Sequence, residues 1–329
     1  MKASRTVPNK PLALHHATRK RFTHISATLL AWHPANKPVY AWRGLRRSPY
    51  EILVSEFMLQ QTGARQIDKK LPEFLKQFPN AKRLAAAPRA DVIRAWQGLG
   101  YNRRAINLQK AAQAILALRK FPRTEEELLA LPGVGQYTAS AILAFAFNED
   151  VAVVDVNVQR VLSRLWKPMT DSHTVLPVSK IQELDQVILP VGQSSQWHEA
   201  LMDLGSTVCT KQRPRCGECP VQSDCLSSRI LHNIGHQRKQ LASVEERFFG
   251  QPRRIWRGRI LKIIAERDGV SSATVSRLLS QAYSSNLTDA SDGTDKTEHD
   301  LLLNDILTSL REEGFITIRN SRITLADGN

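Results

Sequence analysis

Four thiols, two carboxylates and one glycine turn are the groups in this sequence best suited to chemistry. All four cysteines fall in one short stretch, CTKQRPRCGECPVQSDC, as Cys209, Cys216, Cys219 and Cys225, with the spacing C-x6-C-x2-C-x5-C. Four thiolates in one loop, with no cysteine elsewhere, describe an all-cysteine metal centre rather than a disulfide framework. Zinc and a [4Fe–4S] cluster both accept four thiolates, and spacing of this general kind leaves both open. The centre need not be catalytic. It holds a loop carrying Lys211, Arg213 and Arg215 in a fixed shape, and such a loop can sit on phosphates.

The glycine turn is LPGVG, ahead of a helix that begins near Gln136. A short glycine-rich connection leaves unpaired backbone N–H groups at the start of the second helix, which with the helix dipole form a phosphate site. An ordinary helix connection has the same pattern. About 20 residues on, Asp155 ends VAVVD and starts the helix VNVQRVLSRLW. Aspartate there is a good N-cap, and the same position can deliver a carboxylate to a cleft. The second acid is Glu56, in YEILVSEFMLQQ. Ile52, Glu56 and Leu59 share one helical face, and a carboxylate on such a face is costly unless paired or used. An apolar setting favours the protonated form that a general acid requires, whereas a buried salt bridge is the structural alternative.

These groups must be positioned by helices. From about residue 26 to 228 the chain repeats apolar residues at helical spacing, broken by Pro and Gly turns, in SPYEILVSEFMLQQTGARQI, ADVIRAWQGLG, RRAINLQKAAQAILAL and TEEELLAL. Thr124 and Glu127 form a capping box for the last of these. Residues 1–25 are expected to be a basic arm and 229–250 a basic linker. Residues 251–329 predict three helices and a hairpin around Asn320-Ser321, a small α+β, winged-helix-like module. A polar, acidic loop is expected between its second and third helices.

The length of 329 residues allows two or three domains, and 42% hydrophobic residues exclude global disorder. The formal charge is +15, and Met1–Tyr50 holds ten Lys or Arg with no Asp or Glu. Such a balance points to an acidic polymer, most simply nucleic acid. No apolar run approaches a membrane span, and no hydrophobic segment follows the basic N-terminus as in a secretory signal. The expectation is a cytoplasmic, nucleoid-associated monomer.

LPGVGQYTASAILAFAF…VVDVNVQRVLSR resembles the helix-hairpin-helix motif of the HhH-GPD, endonuclease III-like DNA glycosylases. The cysteine spacing is similar to the iron–sulfur loop of the endonuclease III and MutY branches. VSEFMLQQT, WQGLGY and WHEALMDLGSTVC are similar to the adenine-specific MutY branch. The resemblance covers about residues 28–228. It implies a mostly α, two-lobed glycosylase core with a [4Fe–4S] cluster, acting on double-stranded DNA that holds a mismatch or damaged base.

The resemblance also implies site residues. Gly133, Val134 and Gly135 would hold a DNA phosphate. Glu56 would protonate the leaving base, and Asp155 would stabilise the sugar cation. Tyr137 stands where bifunctional relatives carry a Schiff-base lysine, so a monofunctional enzyme is expected. Gln61, Leu99 and Tyr101 would enter or flank the lesion. Trp42, Arg43, Leu59, Asn157 and Glu199 would line the base pocket. Departures are Ala41 before Trp42, Asn102 after Tyr101, Val156 after Asp155, and a C-terminal region unlike the Nudix-like reader of 8-oxoguanine. The leading expectation is removal of adenine opposite 8-oxoguanine or guanine. The alternatives are a thymine or uracil glycosylase on G·T and G·U mismatches and a non-catalytic lesion-binding protein. The C-terminal module would touch DNA or a repair protein.

Overall fold

The computed structural model describes residues 15–40, 43, 48–169, 174–233, 247–248, 251–267, 269–284 and 296–327. The chain divides into two compact units built from alternating segments. One takes residues 1–53, 122–130 and 134–240, and the other takes 54–121, 131–133 and 241–329. Helices dominate both. In chain order they are α1 (His16–Asn36), α2 (Pro49–Leu59), α3 (Ala64–Gln77), α4 (Ala81–Ala86), α5 (Arg89–Trp96), α6 (Arg103–Leu118), α7 (Glu125–Leu129), α8 (Gln136–Phe147), α9 (Val156–Trp166), α10 (Val178–Ile188), α11 (Ser194–Thr207) and α12 (Ser228–Asn233). They continue with α13 (Arg253–Glu266), α14 (Ser272–Ser284) and α15 (Lys296–Glu312). The strands are β1 (Arg247–Phe248), β2 (Gln251–Pro252), β3 (Val270–Ser271), β4 (Ile316–Arg319) and β5 (Arg322–Leu325).

The basic arm expected over residues 1–25 requires correction: α1 begins at His16. Phe22, Ile25, Ser26, Leu29 and His33 fall on one helical face and are buried. That stripe docks on α9, α10 and α11, where Val158, Val161, Leu162, Ile181, Leu184, Trp197, Leu201 and Leu204 complete the core of the first unit. Apolar anchors at helical spacing thus outweigh the cationic composition. Residues 1–14 lie outside the described residues, as do residues 234–246 of the expected linker and 285–295 of the expected acidic loop. Residues 229–233 of the expected linker belong to α12 (Ser228–Asn233).

In the second unit, α3 buries Ile67, Leu71 and Phe74, and α5 buries Ile93 and Trp96. Phe74 and Trp96 meet edge to face at 5.8 Å. The C-terminal elements run α13–β3–α14–α15–β4–β5, with antiparallel sheet order β3-β5-β4. The β4–β5 hairpin turns through Asn320 and Ser321, both at positive φ (48° and 61°), as a tight two-residue turn requires. These elements do not form a separate core. Trp256, Ile260, Ile264, Ile306, Leu310 and Ile323 pack in one cluster with Ala90 and Ile93 of α5 and Ile106 of α6. A boundary drawn in the basic linker therefore does not separate the C-terminal elements from the segment 54–121. Apolar burial stabilises the contact by about 1.5–3 kcal/mol for each large side chain.

Trp256 is 2% exposed within this cluster. Trp256→Ala is expected to destabilise the second unit by about 3–5 kcal/mol. Denaturant unfolding checks this, and a loss below about 1 kcal/mol refutes the shared core.

Candidate active site

Asp155 caps α9. Its Oδ1 accepts the backbone N–H groups of Asn157 (2.9 Å) and Val158 (2.7 Å), and Oδ2 accepts Asn157 Nδ2–H (2.8 Å). The carboxylate is therefore held at the positive end of a helix, with three donors aimed at it. It is half-buried, so the cap is not fully enclosed. The preceding segment is fixed from behind. His198 Nδ1 faces the Ser194 carbonyl (2.8 Å), and its Nε2 lies 2.7 Å from the Asp185 carboxylate and 3.0 Å from the Val153 nitrogen. Asp185 also accepts Trp197 Nε1–H (2.8 Å), and the His198–Asp185 pair is fully buried.

Asn157 is held in turn. Its Oδ1 accepts Arg160 Nη2–H (2.7 Å), and the same nitrogen donates to the Gly205 carbonyl (2.7 Å). Arg160 Nε–H reaches the Cys209 carbonyl (2.8 Å). One guanidinium thus ties the Asp155 cap to α11 and to the first cysteine of the thiol loop. One helical turn on, Arg164 Nη1 donates to the Cys209 carbonyl (3.2 Å), the Cys209 sulfur (3.2 Å) and the Thr210 carbonyl (2.9 Å). Burial lowers the Arg160 pKa from its ordinary value. Gly205 is required by close approach: an added Cβ would lie 2.6 Å from Asn157 Cβ and 3.2 Å from its Cα.

Cys209, Cys216, Cys219 and Cys225 line one partly open pocket, with Arg164, Val208 and Leu231. Burial, aided by the neighbouring sulfurs, pushes the Cys219 thiol up to about 12 and the Cys225 thiol to about 11. Cys216 is raised by the same causes. Four soft thiol donors around one site are the ligand set of both zinc and an iron–sulfur cluster. Lys211, Arg213 and Arg215 are carried on this loop, and Arg215 pairs with Glu218 (2.8 Å) and donates to the Thr207 carbonyl (2.6 Å).

The glycine turn has the expected form. Thr124 and Glu127 make the capping box of α7, and Gly135 is the N-cap of α8 without a side-chain cap. Gly133 has φ +80°, and a Cβ there would meet Asn107 Cβ at 2.8 Å and Phe57 Cε1 at 3.0 Å. Only glycine fits that position. Gly135 is exposed, and open space surrounds a Cβ built on it. Val134 is buried and anchors the turn. Tyr137 is half-buried in the first turn of α8.

Glu56 lies in the half of α2 that belongs to the second unit and is 4% exposed. Ile52 is buried on the same face, and Leu59 is half-buried. Beyond the helix end, Arg104 of α6 organises two loops. Its Nη1 donates to the carbonyls of Phe57 (2.8 Å), Met58 (2.9 Å) and Gln60, and its Nη2 to Thr62 Oγ1 (2.9 Å) and the carbonyls of Leu99 (3.0 Å) and Gly100 (3.0 Å). The guanidinium also lies over the Trp96 ring, 5.4 Å from its centroid. Burial lowers its pKa to about 10, so it stays cationic at neutral pH. It thereby joins Gln61 (φ 58°) and Tyr101 (φ 46°), both exposed non-glycine residues in the left-handed region. Leu99 differs from the expectation of a lesion contact. It is 4% exposed and belongs to the core, because its carbonyl is turned to Arg104 and Thr62.

Of the pocket residues, Arg43 donates to Asp203 on α11, which also bonds His33 Nε2 (2.8 Å). Glu199 lies one turn before Asp203 and is half-buried. Trp42 lies outside the described residues. Arg104, Arg160, Arg164 and Asp203 were not legible as functional from the sequence. A signal existed for the arginines: each interrupts an apolar helical stripe, as Arg104 does before Leu108, Ala111, Ala112 and Ile115.

The chain is similar to known proteins over most of its length. The HhH-GPD superfamily of base excision DNA repair proteins matches residues 54–181, and the iron–sulfur binding domain of endonuclease III matches residues 209–225. An adenine DNA glycosylase of Mycolicibacterium smegmatis is 38% identical over 255 residues, covering 76% of this chain and 83% of that protein. The human adenine DNA glycosylase is 37% identical over 213 residues, covering 62% of this chain and 39% of that protein. A solved thermostable thymine-DNA glycosylase superposes with TM-score 0.59 at 27% identity, covering 65% of this chain and 99% of that one. An endonuclease III–DNA complex shares the fold, with TM-score 0.56 at 23% identity, over 66% of this chain and 98% of that one.

Two outcomes are expected from these contacts. Gly205→Ala should cost about 1–3 kcal/mol, because the Asn157 backbone cannot yield as a side chain would; an unchanged melting temperature contradicts this. Arg104→Gln should cost about 3 kcal/mol by leaving several carbonyls without a donor. Hydrogen exchange should then show faster opening at residues 57–62 and 97–101, and equal protection in both proteins contradicts the hub role.

Proposed function

The chain belongs to the HhH-GPD superfamily of base excision DNA repair proteins, on the branch of the adenine DNA glycosylases, and from that premise we propose that it removes adenine mispaired with 8-oxoguanine or guanine. The observation that carries this reading is the Asp155 carboxylate, fixed by three donors at a helix start. Glu56, nearly fully buried, lies in the same matched segment.

The reaction begins with extrusion of the nucleotide, at a cost of a few kcal/mol of unstacking. Glu56 gives its proton to a ring nitrogen of adenine, and the C1′–N9 bond breaks with its electron pair on the base. The sugar becomes an oxocarbenium-like cation, and Asp155 stabilises it from the fixed position of its cap. The carboxylate has about four lone-pair sites, so three donors do not exhaust it. Water then adds to C1′ and gives up its proton to a carboxylate, an abasic site remains, and Glu56 is reprotonated for the next turnover. Tyr137 offers a phenol where a lyase needs an amine, which supports hydrolysis without strand cleavage.

The amides at Gly133, Val134 and Gly135 hold a DNA phosphate. Gln61 and Tyr101 enter the duplex at the lesion. Trp42, Arg43, Leu59, Asn157 and Glu199 shape the base pocket, and Asp203 orients Arg43. Cys209, Cys216, Cys219 and Cys225 would hold the [4Fe–4S] cluster, which supplies a rigid loop. Lys211, Arg213 and Arg215 present that loop's charge to the backbone. The enzyme acts as a monomer on double-stranded DNA in the nucleoid of the cytoplasm. Among the described residues no helix is long and apolar enough to cross a membrane.

A panel of duplexes tests the assignment. Adenine should be released from A·8-oxoguanine and A·G, with T·G and U·G left intact. The reverse pattern would falsify the adenine reading and favour a pyrimidine enzyme, the activity named for one structural neighbour. Glu56→Gln should lower release by about 10²–10⁴-fold while DNA binding survives. Persisting activity in that variant removes Glu56 as the acid. Absence of base release by the wild type across the whole panel returns the protein to a lesion-binding role.

A further inference from the structure

The C-terminal sheet has two chemically different faces. Val270, Ile316, Ile323 and Leu325 turn into the core. The opposite face carries Ser271, Thr317, Arg319, Arg322 and Thr324, all hydroxyl or guanidinium groups. Thr317 and Thr324 meet through their hydroxyls at 2.8 Å. Arg319 and Arg322 are paired directly across the hairpin, both exposed. Like charges in that register repel, and nothing in the described residues forms an ion pair with either. An anion bridging them would turn the repulsion into attraction.

The third helix of the module is nearly neutral where it is exposed. The exposed positions of α15 include Leu301, Asn304, Asp305, Thr308, Arg311 and Glu312. Asp305 is paired with Arg253 of α13, and Arg311 is offset by its neighbour Glu312, so these positions offer phosphates no net attraction. The acids beside the sheet, Asp91 and Asp327, lie with Arg94 around a depression at Thr324 and Leu325, away from the hairpin tip. Asp91 is itself paired with Arg94 at 2.8 Å, so its charge is matched locally.

We propose that this hydroxyl-and-arginine face, led by Arg319 and Arg322, binds the phosphate backbone of duplex DNA, while α15 stays out of the groove. The inference rests on the reading that duplex DNA is the substrate. It gives the C-terminal module a sequence-independent role: it adds phosphate contacts without reading bases. The same cluster that packs α13 on α5 carries the hairpin on the unit that holds Glu56.

The test uses the full-length protein with its cluster. Affinity for an undamaged duplex and for an A·8-oxoguanine duplex is measured by fluorescence anisotropy across roughly 50–200 mM salt. The double variant Arg319→Gln/Arg322→Gln should bind both duplexes roughly tenfold more weakly at low salt, and the slope of log K against log salt should shrink by about 1.8. Single-turnover base release at saturating protein should not change. The melting temperature should hold or rise, since a like-charge pair is removed. A matched variant, Arg277→Gln/Arg311→Gln, takes the same charge from α14 and α15. It should lose less than about twofold. Unchanged affinity and slope in the hairpin variant overturn the proposal, and so does an equal loss in the matched variant. Weak base release with these binding changes intact would count against the adenine reading alone.

Discussion

Buried guanidinium groups satisfied by backbone carbonyls are the interaction on which the functional parts of this protein depend. The loops that carry the chemistry are irregular, so their carbonyls lack the partners that helices and sheets supply. Each buried carbonyl needs a donor, and arginine brings five in a rigid fork. Arg104 does this for the segments around Gln61 and Tyr101. Arg160 and Arg164 do it for the start of the cysteine loop. The cost of burying the charge shows in the lowered pKa values of Arg104 and Arg160, which burial dominates. Carbonyl dipoles offset part of it.

This arrangement explains why a metal-binding loop remote in sequence from the acid can matter to it. Asp155, Asn157, Arg160 and Cys209 form a continuous chain of hydrogen bonds within one unit. A shift of the cysteine loop is felt by Arg160, then by the amide that orients the carboxylate. Gly205 makes the chain possible by letting α11 approach Asn157 without an intervening methyl.

Much of the helical framework is legible because its apolar residues repeat at 3.6 spacing, and both the capping box at Thr124 and the hairpin at Asn320-Ser321 appear where local chemistry demands them. The stretch 16–25 reads as an arm only when charge is weighed above periodicity, although Phe22 and Ile25 mark the buried stripe. Leu99 reads as a contact residue, yet its side chain is core and its neighbour Tyr101 is the exposed one. Arginine on an apolar stripe escapes a sequence reading because a charge is ordinarily a solvated face, and its partners here are carbonyls far away in sequence.

The sequence by itself determined the reactive groups: four soft donors in one loop, an acid at a helix start, an acid in an apolar helix, and a glycine turn at residues 133–135. Those follow from residue type and short-range spacing. Tertiary structure alone decided which groups hold them. The partners of Arg104 lie up to 47 residues away, and those of Arg160 up to 49. It also decided that residues 251–327 share a core with α5 and α6 instead of standing apart. Contacts of that range leave no local pattern, because a backbone carbonyl is present at every residue and only the fold selects which of them meets a donor.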